Sequence, residues 1–148
     1  MARDELAAWL RLLLTLGVGN ETARKLLAAF GLPETVFTQS LAALQAVAGN
    51  RIAQALLTPP DVLDSTVDRL LAWLAEAPDH HVLTLADPRY PAELLQMADP
   101  PLLLYVMGQL GALQQPRRLN QQEQSQHCRQ WHNLHYLSQL PIKWICYP

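Results

Sequence analysis

The segment from Gly19 to Leu27 reads G-N-E-T-A-R-K-L-L, and G-N-R-I-A-Q-A-L-L follows from Gly49 to Leu57, with five of nine positions identical. Such a fixed offset marks one supersecondary unit used twice, and it restricts this part of the chain to paired helices. Each repeated residue has a physical task. The glycine permits a tight turn, and the asparagine is suited to cap the helix that follows. The alanine lets a partner helix approach closely, and the two leucines fill the space between helices. The turn before the first copy is Leu16-Gly17-Val18-Gly19. The turn before the second is Ala46-Val47-Ala48-Gly49, which lacks the first glycine.

Helix signals extend on both sides of the repeat. Asp4 is expected to cap a first helix with Leu6, Trp9, Leu10, Leu13 and Leu14 on one face. Gly17-Val18-Gly19 ends it. Asn20 then caps a helix that turns Ala23, Leu26, Leu27 and Phe30 inward. Gly31 closes that helix, and Pro33 opens a short helical turn to Thr38. Ser40 caps a helix bearing Leu41, Leu44 and Val47, and Asn50 caps one that buries Ile52, Ala53, Leu56 and Leu57. Thr58-Pro59-Pro60 interrupts the run. A longer helix from about Asp61 to Glu76 carries Leu63, Val67, Leu70, Leu71 and Leu74. Trp9 and Trp73 stand at core spacing.

This pattern predicts a pair of helix-hairpin-helix motifs joined in one five-helix unit, within a helical domain over residues 1–76. In such a unit the turn Gly17, Val18, Gly19 can aim backbone N–H groups at a phosphate, with Arg24 and Lys25 as nearby cations. The second hairpin is expected to be structural. The reading favoured by the charge count is an αα-hairpin turn with no ligand, because phosphate contacts usually recruit Lys or Arg. Between Leu16 and Thr58 the cations Arg24, Lys25 and Arg51 face Glu21 and Glu34, a net charge of +1. That is a weak footprint for a polyanion.

After Pro78 the periodicity shortens. His81 to Ala86 is a strand candidate that ends at Asp87-Pro88. Tyr90-Pro91 opens a helix to Met97 with Leu94, Leu95 and Ala98 on its apolar side. Asp99-Pro100-Pro101 stops it, and Leu102 to Met107 is a second strand candidate closed by Gly108. This strand–helix–strand has the minimum size of a βαβ unit, and two strands need further sheet partners.

Composition then breaks. Residues 1–116 hold nineteen alanines, all six glycines and a net charge of -5, whereas residues 117–148 hold no alanine, no glycine and a net charge of +3. The second part contains Cys128, Cys146, His127, His132, His135, Trp131 and Trp144, without sustained periodicity or turn clusters. It reads as sequence joined after a frameshift or an insertion. Residues 114–148 are therefore expected to be disordered, without strands and without function.

The spacing Tyr90-Pro91-x-x-Leu94 … Asp99-Pro100-Pro101-x-x-Leu104-Tyr105-x-x-Gly108 resembles the signature segment of the DNA-processing protein A family, DprA or Smf. The helical unit before it, with L-x-x-L-G-V-G and the later Ala-Gly-Asn hairpin, is similar to that family's N-terminal domain. The resemblance covers residues 5–113. It implies a mainly α chain: a helix-hairpin-helix, sterile-alpha-motif-like domain followed over residues 77–113 by the start of a Rossmann-like α/β domain. It gives Tyr90, Pro91, Asp99, Pro100, Pro101, Tyr105 and Gly108 a structural role. It also implies single-stranded DNA and the RecA recombinase as partners, in natural transformation and recombination. The family's Gly-Ser-Arg turn is absent from this sequence, so the resemblance implies a truncated chain that has lost the main DNA contacts and is monomeric. The other class left open is a helical protein-interaction module without DNA contact.

The remaining chemistry is sparse. No Ser/His/Asp or Cys/His arrangement and no paired carboxylates stand in a supporting context, so no enzyme and no cofactor are expected. His127, Cys128, His132 and His135 offer a tolerable H-x₂-H spacing at 132–135, but a structural zinc site needs closed four-ligand geometry on an ordered frame, so no metal is expected. No apolar run reaches the roughly 18 residues of a membrane span, and acids at Asp4 and Glu5 argue against a signal peptide. The expected location is the cytoplasm.

Overall fold

The computed structural model describes residues 2–111 and the backbone of a strand at 143–146. The chain divides into two units, Met1–Trp73 and Leu74–Pro148.

The first unit is helical. Its elements are α1 (Arg3–Leu14), α2 (Asn20–Phe30), α3 (Pro33–Phe37), α4 (Leu41–Ala48) and α5 (Asn50–Leu57), with α6 (Leu63–Glu76) running across the division. α1 packs on α2 and α3, α2 packs on α3 and α4, and α4 packs on α5. Buried side chains on α1 come from more than one face: Leu6, Trp9, Leu10, Leu12 and Leu13. Leu12 was not on the expected apolar face, while Leu14 is only half-buried. The reason is that α1 meets several neighbours at once, so a single stripe does not suffice. Arg11 reaches from it to α5, and Arg3 pairs with Asp68 on α6.

The caps depart from expectation in a consistent way. Ala2, not Asp4, is the N-cap of α1, and its amide donates to Glu5 Oε2 at 3.3 Å. Asp4 instead sits in the first turn, where its charge suits the helix dipole. Gly19 and Gly49, not Asn20 and Asn50, hold the cap positions of α2 and α5, and each asparagine is the first helical residue. Ser40 does cap α4, accepting from the Ala43 amide at 3.3 Å. Pro33 opens α3, and Gly31 closes α2 with φ 86°.

The repeated leucine pairs behave unequally. Leu26 and Leu56 are fully buried, whereas Leu27 is half-buried and Leu57 is 49% exposed. Adjacent residues on a helix lie about 100° apart, so one of two consecutive leucines must leave the seam of a short hairpin. The expected burial of Leu57 is thus corrected. Leu26 and Leu56, with Ala23 and Ala53, are the repeat positions that are fully buried.

The second unit begins with β1 (His80–Thr84), followed by the single turn α7 (Ala92–Leu95) and β2 (Leu103–Met107). β1 and β2 pair antiparallel, with Leu83 opposite Leu104 and His81 opposite Val106. The parallel crossover implied by a βαβ unit does not form. A four-residue helix advances about 6 Å, and a five-residue strand spans about 17 Å. The segment between the strands is therefore too short in its helical part to return the chain to the strand's start. α7 also ends before Met97, and Leu95 is 51% exposed while Ala98 is exposed, so the expected apolar side reduces to Leu94.

Both faces of β2 are buried, which explains why Leu102 to Val106 reads as a continuous apolar run rather than an alternation. Leu83, Tyr90, Leu104 and Val106 form one core cluster, with Leu85, Leu94 and Leu110 packed against it. Gly108, at φ 105°, donates its amide to the Asp79 carbonyl and closes the end of the ladder.

A third strand, β3 (Lys143–Cys146), pairs parallel with β2 in the order β1-β2-β3. The expectation that the tail supplies no strand is corrected here. The run Ile142 to Tyr147 is rich in β-branched and aromatic residues and is bounded by Pro141 and Pro148, which is itself a strand signature. The rest of the tail expectation, with His127, Cys128, Trp131, His132 and His135, lies outside the described residues. Among the described residues no helix is long and apolar enough to cross a membrane.

Candidate nucleic-acid interface

The two repeated turns meet. Leu16, Gly17, Ala48, Gly49, Asn50, Arg51 and Ile52 line one open groove of about 330 Å³. Gly17 lies against Ile52, and a Cβ on Gly17 would stand 3.6 Å from Ile52 Cγ1. The distance is an ordinary contact, so it is the backbone at φ +86° that calls for glycine here.

The first turn is held from within. Thr15 directs both its amide and its hydroxyl to the Arg11 carbonyl, at 3.0 and 2.7 Å. The Val18 amide donates to the Thr15 carbonyl at 3.0 Å. One of the amides that a G-h-G turn could offer a phosphate is thereby already engaged. Gly19 has an extended φ of -87°, and nothing approaches within 4 Å of where its Cβ would be.

The second turn is tighter. α4 runs to Ala48, and Gly49, at φ +80°, both ends α4 and caps α5. The Asn50, Arg51 and Ile52 amides have no intrahelical acceptor, as at any helix start. Gly49 has no side chain to take them, and the space beside it is open. The first turn of α5 carries no acid, although acids are favoured at that end of a helix. Arg51 is exposed and forms no ion pair among the described residues. At the groove's edge Gln45 Nε2 donates to Asn50 Oδ1 at 2.7 Å.

Of the expected contact residues, only Gly17 lines this groove; Val18, Gly19, Arg24 and Lys25 do not. Lys25 pairs with Glu21 at 2.8 Å, one helical turn earlier, and Arg24 is engaged as well. Most of the lining comes from the second hairpin, which the missing glycine had marked as merely structural. Its signal was present in the sequence as Asn50-Arg51 at a helix start without a compensating acid.

Arg11 was also missed. Its Nη2 donates to the Leu56 carbonyl at 2.7 Å, and its guanidinium carbon lies 4.0 Å from the Phe37 ring centroid. Partial burial lowers its pKa from the ordinary value, but an arginine stays charged at neutral pH. A cation at the last carbonyls of α5 is favoured by the helix dipole. Arg11 thus fixes the far end of the helix whose start lines the groove. The clue was a lone charge within Leu10-Arg11-Leu12.

In the second unit the signature-like residues share one small frame. Tyr90, Pro91, Pro100, Pro101 and Tyr105 are buried, while Asp99 is exposed. The Tyr90 hydroxyl donates to the Pro101 carbonyl at 2.7 Å. Burial pushes the Tyr105 phenol up, so it stays neutral. Asp87 receives Arg89 in a fork, with Nε to Oδ1 at 2.9 Å and Nη2 to Oδ2 at 2.7 Å. The Arg89 amide adds a third bond at 2.8 Å. These bonds from Arg89 hold the Asp87 carboxyl below the usual carboxylate range. Among the described residues no three His, Cys, Asp or Glu side chains gather where a metal could sit.

In comparisons with protein-family models, curated proteins and solved structures, nothing matches this chain.

Proposed function

We propose that the helical unit is a nucleic-acid accessory module of a DprA/Smf-like DNA-processing protein, touching a phosphodiester backbone weakly and without sequence preference. The observation that carries this reading is the convergence of the Gly17 and Gly49 turns on one groove that holds the start of α5 and the exposed Arg51, which forms no ion pair among the described residues. Bare glycine backbone, helix-start amides and a cation form the elementary chemistry of phosphate contact. Weakness follows from charge: one lining cation neutralises about one phosphate, and residues 1–116 carry a net -5. The same resemblance implies the start of a Rossmann-like domain over residues 77–113, although β1 and β2 pair antiparallel there. Single-stranded DNA is the proposed ligand. RecA, the family's second partner, is not assigned to any surface of this chain.

A salt series of gel shifts on a labelled single-stranded oligonucleotide tests the reading. The expected result is a Kd no tighter than about 10⁻⁴–10⁻⁶ M that weakens with salt. Nanomolar, length-dependent affinity overturns it.

One observation favours the second reading, a protein-docking module. Leu16 is 79% exposed at the groove's edge, and the lining is mostly apolar. Salt-independent binding of a protein partner, lost in Leu16→Ser, supports that reading.

A further inference from the structure

We draw no further inference here: the strongest candidate, the apolar side of the groove where exposed Leu16 faces the Ala48–Ile52 turn, belongs to the site already described, and nothing in the structure shows what covers it.

Discussion

The Tyr90 hydroxyl donates a 2.7 Å hydrogen bond to the carbonyl of Pro101, eleven residues further along the chain. This bond ties the Tyr-Pro segment after β1 to the Pro-Pro segment before β2, and both partners are buried. Leu85 donates to Leu102 at 2.9 Å just inside it, so the loop is clamped at two levels. Tyr90→Phe leaves the Pro101 carbonyl buried without this donor. The expected loss is about 1–3 kcal/mol in urea unfolding. An unchanged midpoint contradicts the clamp.

The leucine repeat gives a sharper contrast. Leu56→Ala removes a fully buried side chain and is expected to cost about 2–5 kcal/mol. Leu57→Ala, at a half-exposed position, is expected to cost under about 1 kcal/mol. Equal costs in denaturant melts contradict the placing of Leu56 inside the core and Leu57 outside it.

Arg11 links three helices through the Leu56 carbonyl and the Phe37 ring. Arg11→Met is expected to destabilise by about 1.5–3 kcal/mol, the range for a charged hydrogen bond. A double-mutant cycle with Phe37→Leu should show coupling of about 0.5–1 kcal/mol. Strict additivity contradicts a cation–π contribution.

Much of the helical unit was legible because its signals are local. Gly31, Pro33, Ser40 and Pro59-Pro60 each punctuate the chain through their own backbone chemistry. The asparagine caps were misplaced by one residue because glycine competes for the same position, and side-chain pattern alone does not separate the two. The sheet was less legible. Strand positions followed from apolar runs, but the pairing direction of β1 and β2 depends on how far α7 carries the chain. The groove was half legible: the repeat pointed to both turns, while the hairpin that supplies most of the lining lacks the first glycine of the G-h-G pattern. Arg11 was invisible to periodicity, because its role exists only once α1, α3 and α5 are assembled.

Asp87 sets an acid limb. Its folded pKa is lowered by Arg89, so its contribution is complete above the unfolded value of about 3.9 and vanishes as pH falls through the lower folded value. Because Arg89 is half-exposed, the pair is worth under about 1 kcal/mol. The stability gap between the natural chain and Asp87→Asn should be constant above about pH 5 and shrink below about pH 4. A gap that persists to low pH contradicts the ion pair as its source.

The central claim is that the paired turns hold a nucleic-acid backbone through Arg51 and the start of α5. Fluorescence anisotropy of a labelled single-stranded oligonucleotide, titrated with the natural chain and with Arg51→Gln across a salt series, tests it most directly. The account predicts weak binding whose log K falls with log salt, and a slope shallower by about 0.7 in Arg51→Gln, the share of one phosphate. Binding with the same affinity and slope in both proteins, or no binding by the natural chain at low salt, contradicts it.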